Sequence, residues 1–193
     1  MNKKNRHISK ILDIGGVFLR DYKGSFSGRE IARLAGISPQ TAINVLNRLL
    51  HANVVFYKQE GRNNKYGLNI ADLRARIFLQ TIESEKSRFF LENMELREII
   101  TSVLPFAEAV VVFGSFAQGR EKEDSDLDLV VIQGNEEKVQ QVRKIFPREI
   151  NMEFVNWKQF SAAFKNKKSL AVEIQRNHIF YGNVVKVVEV YCS

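Results

Sequence analysis

Two apolar runs that bracket a polar stretch restrict the fold of this chain more than any other feature of its sequence. Residues 109–113 read AVVVF, a continuous apolar run that is typical of a buried strand. The sequence GSFAQG and a charged stretch follow, and residues 125–132 then read SDLDLVVI. A further strand is predicted at residues 150–155, INMEFV. The second half of the chain is therefore predicted to contain short strands of a sheet.

Two aspartates stand at alternate positions where the second of these strands begins. Side chains alternate between the faces of a strand, so Asp126 and Asp128 point to one face and the leucines that follow each of them to the other. Carboxylates about 7 Å apart repel each other unless cations lie between them. Oxygen ligands suit Mg²⁺ or Mn²⁺, and Glu153 on a neighbouring strand can complete such a site. The spacing predicts a site for phosphoryl transfer with two metal ions about 4 Å apart.

A Gly-Ser pair lies between the first strand and a predicted helix, where backbone N–H groups face outward. Gly114 permits a close approach of the backbone to a ligand, and the Ser115 hydroxyl adds a hydrogen-bond donor. The N-terminus of the helix favours a triphosphate. Gly119 closes the short turn, and Arg120 and Lys122 are nearby cations. These residues predict a site for phosphate groups.

The stretch GSFAQGREKEDSDLDLVVI resembles the signature of the DNA polymerase β-like nucleotidyltransferase superfamily, in particular its small members, the minimal nucleotidyltransferases. The resemblance covers residues 96–193. It implies an α/β (α+β) domain with a mixed sheet and flanking helices, and an enzyme that transfers a nucleoside monophosphate from an NTP, with ATP expected, to a hydroxyl acceptor. It implies that Gly114 and Ser115 bind the NTP phosphates. Three residues close to this turn, Gly119, Arg120 and Ser125, are also expected to bind the nucleotide. The catalytic residues and ligands of two Mg²⁺ or Mn²⁺ ions that it implies are Asp126, Asp128 and Glu153.

The third carboxylate departs from the pattern of that family. Minimal nucleotidyltransferases commonly have aspartate at this position, whereas this chain has Glu153. Glutamate is longer by one methylene, but it can still bind a metal ion or accept a proton. Glu149 is the alternative third carboxylate.

The first third of the chain carries the signals of helices. Apolar residues recur at roughly helical spacing over residues 4–19. Ser27, with Glu30 three residues later, predicts the start of a second helix, which Gly36 ends. The dipeptide Ser38-Pro39 predicts the start of a third helix, which continues to about residue 52. The residues that this third helix is expected to bury are Ala42, Val45, Leu46 and Leu49.

Two short helices joined by a tight turn are the pattern of a helix-turn-helix, and residues 54–59 and 65–69 predict a hairpin after them. Residues 1–70 resemble the winged helix-turn-helix domains of bacterial and archaeal transcription regulators. The resemblance implies binding of double-stranded DNA, with the second helix of the motif in the major groove. The DNA-contacting residues expected are Gln40, Thr41, Asn44 and Arg48 on that helix and Lys58, Arg62 and Lys65 on the hairpin. A module for protein–protein contact or dimerisation is the alternative.

The positive charge of the chain is concentrated in the same region. Residues 1–70 hold 12 basic and 4 acidic side chains, a net charge of +8, whereas residues 71–193 hold 17 basic and 18 acidic side chains, a net charge of −1. A compact basic module attached to a neutral one favours contact between the first module alone and a polyanion.

Residues 71–104 contain neither glycine nor proline and are rich in Leu, Glu, Arg and Ile. They predict one or two helices, of which residues 71–95 form a linker between a DNA-binding domain at 1–70 and a nucleotidyltransferase domain at 96–193. A long helix at this place can also serve dimerisation, so a homodimer is one expectation. The residues expected on its apolar faces are Leu73, Ile77, Ile82, Phe89, Phe90, Met94, Ile99, Ile100 and Val103.

The composition excludes several other classes of protein. Apolar residues make up 45% of the chain and charged residues 26%, as in an ordinary globular protein. No apolar run approaches the roughly 20 residues that a membrane span needs. The single cysteine, Cys192, excludes a disulfide framework and a cysteine-rich zinc site. The chain is therefore expected to be cytoplasmic and without a membrane partner, and His178 is expected to be structural.

Two functions remain open on the sequence alone. In the first, the chain is an enzyme whose hydroxyl acceptor is a protein, an RNA end or a small molecule. In the second, it is a DNA-binding regulator whose C-terminal domain senses a nucleotide or binds a partner without turnover. Because minimal nucleotidyltransferases often act as antitoxins paired with a helical ribonuclease toxin, the resemblance also implies a cognate toxin as a partner of an autoregulating antitoxin.

Overall fold

The computed structural model describes residues 3–61, 63–122 and 125–193. Its contacts divide the chain into two compact units, of which the first ends at Ile82 and the second begins at Glu83. Each unit has its own buried apolar residues. No helix in the described ranges combines the length and the hydropathy that a membrane span requires.

The N-terminal unit consists of helices packed against a small antiparallel sheet. Its strands pair in the order β1-β3-β2. In chain order its elements are α1 (Lys3–Phe18), β1 (Ser25–Ser27), α2 (Gly28–Leu34), α3 (Pro39–His51), β2 (Val55–Glu60) and β3 (Asn63–Leu68). The helices and the hairpin that the sequence predicts are therefore present, with ends that differ by two residues or fewer from most predictions.

The ends of α2 and α3 follow from local side-chain chemistry. The Ser27 hydroxyl accepts a hydrogen bond from the backbone N–H of Glu30 at 3.2 Å, and the Ser38 hydroxyl accepts one from the N–H of Thr41 at 3.2 Å. Gly36 follows α2 with φ +64°, a conformation that glycine adopts without a steric penalty. The residues that α3 buries are the predicted ones, Ala42, Val45, Leu46 and Leu49.

Two helices, α4 (Leu73–Phe90) and α5 (Met94–Val103), occupy the predicted helical stretch. Asn93 separates them, since its side chain accepts a hydrogen bond from the N–H of Leu96 at 3.0 Å and caps α5. The division between the two units falls inside α4, within the predicted linker. The domain limits at residues 70 and 95 themselves stay predictions.

The apolar residues of this helical stretch are only partly buried in the structure. Ile82, Ile99, Ile100 and Val103 are buried, but Phe89 is 62% exposed and Met94 is 63% exposed. Helical periodicity shows which residues share a face, but it does not show whether another element covers that face. The apolar residues of the stretch that are largely exposed are Leu73, Ile77, Phe89 and Met94.

The C-terminal unit has a mixed sheet with helices around it, as the sequence predicts. A 3₁₀ turn at Leu104–Phe106 leads into it. Its elements are β4 (Ala109–Phe113), α6 (Gly114–Ala117), β5 (Leu127–Ile132), α7 (Glu136–Arg143), β6 (Ile150–Val155), α8 (Trp157–Lys165), α9 (Ser169–Arg176), β7 (Ile179–Gly182) and α10 (Val184–Cys192). Helices α7 and α8 were not predicted from the sequence.

The strands of this sheet lie in the order β6-β5-β4-β7. Strand β4 is antiparallel to both of its neighbours, β5 and β7, whereas β5 and β6 are parallel. Leu127 and Leu129 belong to a buried cluster that includes residues of α5 and α7. Because strand side chains alternate, Asp126 and Asp128 lie on the opposite face of the sheet.

His178 lies in the interior of the C-terminal unit, in agreement with its predicted structural role. Its ring nitrogens contact the backbone oxygen of Ile174 at 2.7 Å and the Glu83 carboxylate at 2.8 Å. The ring also stacks on Phe180 with a centroid distance of 4.2 Å. His178 and Glu83 are both buried, so this polar pair is enclosed by the packing of the unit.

Candidate active site

The end of β4 brings the glycine of the Gly-Ser pair against the second aspartate. In the antiparallel pairing of β4 with β5, Phe113 stands opposite Asp128, and Gly114 follows with φ +68°. A Cβ atom at residue 114 would overlap the Asp128 carboxylate. Only glycine therefore satisfies both the backbone conformation and the space at this position.

A second neighbour fixes the other side of the Asp128 carboxylate. Asn151 stands directly beside Asp128 in the parallel pairing of β5 with β6. Its side-chain amide donates a hydrogen bond to Oδ1 of Asp128 at 3.1 Å, while Oδ2 faces Gly114. Asp128 is half-buried between these contacts, so the direction of its carboxylate is set before any ligand binds.

Asp126 is less enclosed than Asp128. It precedes β5, is exposed, and lies on the same face as Asp128 because the two residues are two apart, which places their Cα atoms about 7 Å from each other. The two carboxylates therefore approach a common volume from one strand, with Asp128 held and Asp126 open to solvent.

Arg148 holds the loop immediately before Asp126. Its guanidinium donates a hydrogen bond to the backbone oxygen of Ser125, forms an ion pair with Glu95 at 2.8 Å, and lies over the Phe116 ring at 5.1 Å. This one side chain thus connects the start of β5 with α5 and with the turn that follows Gly114. Sequence reasoning missed it, because an arginine 22 residues from Asp126 carries no local signal of this role.

Glu153 does not stand beside the aspartates. It lies opposite Val130 in the β5–β6 pairing, two residues beyond Asn151 and on the same face. These positions separate the Cα atoms of Asp128 and Glu153 by about 8 Å. Glu149 precedes β6, where its backbone oxygen accepts a hydrogen bond from the N–H of Leu127 at 2.9 Å, so it lies next to Asp126. Which of the two is the third carboxylate stays open.

The geometry suits a metal ion that is bound by few protein ligands better than it suits a metal ion enclosed by a cage of side chains. In residues 3–61, 63–122 and 125–193, no three His, Cys, Asp or Glu side chains are grouped closely enough to hold a metal ion. Mg²⁺, however, is usually bound by one or two carboxylates together with water and substrate phosphates, and not by a cage of protein ligands alone. Asp126 and Asp128 provide two such carboxylates beside a turn that a phosphate group can approach.

The other residues predicted to bind the nucleotide lie around the same turn, and they differ in their exposure and in their hydrogen bonds. Ser115 is half-buried, and Arg120 is exposed. The Ser125 hydroxyl accepts a hydrogen bond from the N–H of Lys122 at 2.9 Å, so it serves the loop itself. Gly119 has φ +62°, and no atom of the described residues lies within 4 Å of the position that a Cβ atom would occupy there. Because α6 is a single turn, the predicted contribution of a helix dipole is small.

An open cleft lies at the same end of the sheet, and sequence reasoning missed it. It has a volume of about 520 Å³. Gln118, the residue that caps the C-terminus of α6, forms one wall of the cleft. A face of α9, a helix that contacts β4, forms the other wall. The residues that line the cleft are Gln118, Ser169, Val172, Glu173, Arg176 and Asn177.

The residues predicted to contact DNA from α3 lie on its outer surface. Gln40, Asn44 and Arg48 are exposed, and Thr41 is half-buried. The Gln40 amide donates a hydrogen bond to the Asn44 side-chain oxygen at 3.1 Å, and the Thr41 and Ser38 hydroxyls are 2.8 Å apart. The structure thus brings these side chains together on one surface, where they contact each other.

The hairpin carries less unpaired positive charge than the sequence suggested. Lys58 and Lys65 stand opposite each other on β2 and β3, and both contact the Glu60 carboxylate, at 2.6 Å and 3.0 Å. Hydrogen bonds from the two lysines lower the pKa of Glu60. Arg62, the other predicted hairpin contact, lies outside the described residues.

Residues 95–183 match the model of a protein family described as Polymerase beta, Nucleotidyltransferase. The matched segment contains the Gly114 turn, both aspartates and all strands of the mixed sheet that the structure describes. The mixed sheet with flanking helices is consistent with this match, which indicates a nucleotidyltransferase-like fold for the C-terminal unit.

Other comparisons add little to this assignment. Among solved structures, the chain is similar to TrmBL2, an archaeal chromatin protein whose structure is described as showing a novel mode of DNA binding, with 15% sequence identity and a TM-score of 0.24. The similarity covers 76% of this chain and 62% of that chain. A similarity of this size supports no inference about function. No curated protein sequence matched the chain.

Proposed function

We propose that the C-terminal unit is a metal-dependent nucleotidyltransferase, which transfers a nucleoside monophosphate from an NTP to a hydroxyl group. The contact between Gly114 and the Asp128 carboxylate carries this proposal, because it puts a turn that phosphate can approach beside a metal-binding group. The match of residues 95–183 to the nucleotidyltransferase family supports the same reaction class.

In the proposed reaction, the acceptor oxygen forms a bond to the α-phosphorus, the bond from that phosphorus to the bridging oxygen breaks, and pyrophosphate leaves with the electron pair. Gly114 and Ser115 bind the phosphate groups, and Asp126 and Asp128 hold Mg²⁺ or Mn²⁺. The charge that develops on the transferred phosphate is stabilised by these ions when they are bound. Glu153 accepts the proton of the acceptor hydroxyl, with Glu149 as the alternative base.

The experiment that tests this function combines labelled substrate with a substitution of Asp128. The full chain is incubated with α-labelled NTPs and Mg²⁺ in the presence of three kinds of acceptor: itself, a co-expressed neighbouring protein such as a cognate toxin, and bulk RNA. We expect Asp128→Asn to reduce label transfer by at least about 10³-fold, since the metal site supplies several kcal/mol of transition-state stabilisation. Glu137→Gln, at an exposed carboxylate of α7, is the matched control and should keep full transfer.

Binding measurements give a second readout of the same proposal. Titration calorimetry with each NTP should show binding in Mg²⁺ and much weaker binding in EDTA. Equal affinity in EDTA contradicts the metal-dependent reaction. Label transfer by wild type that persists in Asp128→Asn contradicts the role of the aspartates. Binding of NTP without label transfer to any acceptor favours the sensor, in which the domain binds nucleotide without turnover.

We further propose that the N-terminal unit binds double-stranded DNA as a winged helix-turn-helix. The exposed polar residues on the outer surface of α3, next to an antiparallel hairpin, support this proposal. The net charge of +8 in residues 1–70 supports it as well. An electrophoretic mobility assay of the full chain with DNA from its own promoter region tests it, and absence of binding at low salt would favour the protein-contact alternative.

A further inference from the structure

We propose that the cleft between Gln118 and α9 binds the nucleoside part of the NTP, its base and its ribose, while the phosphate groups lie at Gly114 and Ser115. This assignment rests on the proposed nucleotidyltransferase function and names the place where its substrate is recognised. It follows from the position of the cleft, the chemistry of its walls and the lack, among the described residues, of other partners for four of its polar side chains.

The register of the sheet puts the cleft next to the proposed phosphate site. Val112 of β4 pairs with Ile179, the first residue of β7, so Asn177, two residues before Ile179, lies at the same end of the sheet as the Gly114 turn that follows β4. Asp128 flanks the same end of β4 from the other side. Gln118 follows α6, so a single helical turn, about 6 Å long, separates the phosphate site from the wall of the cleft. One NTP can therefore extend from Gly114 into the cleft.

The side chains of the cleft suit a nucleoside better than they suit phosphate. A polyphosphate site would carry excess positive charge, but here Arg176 is matched by Glu173. The amides of Gln118 and Asn177 each offer donors and an acceptor, which is the combination that reads the edge of a base. Val172 adds an apolar surface for a ring. The volume of about 520 Å³ lies within the range of roughly 300–1,000 Å³ that small-molecule sites occupy.

Four polar side chains of the cleft have no partners in the described part of the chain. There, the side chains of Gln118, Glu173, Arg176 and Asn177 form no hydrogen bond or ion pair. Glu173 and Arg176 are three residues apart on α9, where oppositely charged side chains often pair, yet they do not contact each other. Their donors and acceptors are therefore available to a ligand that fills the cleft.

The test compares NTPs with inorganic tripolyphosphate on the full chain. Affinities are measured by calorimetry in Mg²⁺ for wild type, Gln118→Ala and Asn177→Ala, two variants on different walls of the cleft. Gln175→Ala is the matched control, because it removes an amide from the exposed surface of α9 outside the cleft. Thermal melting confirms that each variant is folded.

We expect each cleft variant to weaken NTP binding by about fivefold, the effect of one lost hydrogen bond, with tripolyphosphate affinity and the Gln175→Ala control unchanged. NTP affinities equal to wild type in both cleft variants would overturn the inference and leave the proposed function in place. An equal loss for tripolyphosphate would also overturn it, since the cleft would then hold phosphate. If wild type binds no NTP, the proposed function fails and this inference with it.

Discussion

The turn at Gly114 in the C-terminal unit and the surface of α3 and its hairpin in the N-terminal unit both offer polar groups to a proposed phosphate-bearing ligand, but they are packed very differently. Gly114 has no room for one additional carbon atom, and Asp128 is held by a hydrogen bond from Asn151. The side chains of Gln40 and Arg48, in contrast, are exposed.

This difference predicts two kinds of response to substitution. Where a catalytic group is fixed by close contacts, a displacement of about 1 Å lowers the rate by on the order of 10²-fold. A single substitution that shifts such a group therefore removes nearly all of the activity. Where exposed charges attract a polyanion, each contact contributes separately and is screened by salt. Substitutions at the first site should therefore abolish function, and those at the second should change it by degrees.

The largest effect is expected from Gly114→Ala. The added methyl group overlaps the Asp128 carboxylate, so we expect label transfer to fall by about 10³-fold, as if Asp128 were lost. Alanine in this left-handed conformation also destabilises the unit by about 1–2 kcal/mol.

Gly119→Ala separates the two effects of that substitution. Gly119 has a similar φ, +62°, but no atom of the described residues lies within 4 Å of its Cβ position, so this variant should lose comparable stability and much less transfer activity than Gly114→Ala. If both variants lose activity equally, backbone strain explains the result and the contact with Asp128 does not.

A smaller effect is expected at the third carboxylate. Glu153→Gln should lower transfer by about 10²-fold, the lower end of the range for removal of a general base, and Glu149→Gln should have little effect. Both variants remove one charge from the same strand region, so each is the control for the other. The reverse result would assign the base to Glu149, which lies next to Asp126, and full activity of both variants would show that neither carboxylate is the base.

Arg148→Met tests whether the site around Asp126 and Asp128 depends on the contacts that Arg148 makes with the preceding loop. The substitution removes the hydrogen bond to the Ser125 oxygen and the ion pair with Glu95, so we expect the free energy of unfolding of the C-terminal unit to fall by about 2 kcal/mol. Thermal or urea unfolding measures it. Arg143→Met, on α7, is the control, because Arg143 has no ion pair within the described residues. Equal losses of unfolding free energy in the two variants would contradict a special role of Arg148 at the site.

Local signals in the sequence were sufficient for much of the fold. Ser27, Gly36 and Ser38 predicted helix ends, because a cap depends on residues within one turn of it. The alternation of Asp126 and Asp128 with leucines predicted which face of β5 carries the carboxylates. Helix α8 was missed although Asn156 and Gln159 form a capping box at its start, so its signal was present in the sequence.

The parts that could not be predicted depend on contacts between distant residues. The position of Asn151 beside Asp128 follows from the register of two parallel strands, which no short pattern specifies. The contact of Arg148 with Ser125 likewise joins residues 23 apart. Pairing of Lys58 and Lys65 with Glu60 required the hairpin register, and the exposure of Phe89 required knowledge of what covers α4.

The smallest effect is expected at the hairpin of the N-terminal unit. Glu60 lies between two lysines that are proposed to contact DNA, and like any exposed glutamate it is charged at neutral pH, so it competes with phosphate for both lysines. Glu60→Gln removes that competition. We expect DNA affinity to rise by about threefold to tenfold, and the slope of log K against log salt to steepen by about 1–2, since each additional phosphate contact contributes roughly 0.9.

Salt titrations of the mobility shift measure this effect, with Glu30→Gln as the control, because Glu30 lies in the first turn of α2 and has no ion pair among the described residues. Lys58→Ala and Lys65→Ala should have the opposite effect, with a shallower slope for each. A rise in affinity with an unchanged slope would mean that Glu60 acts through general repulsion of DNA and that the two lysines do not contact phosphate. If neither the affinity nor the slope changes, the hairpin does not contact DNA and α3 alone accounts for binding.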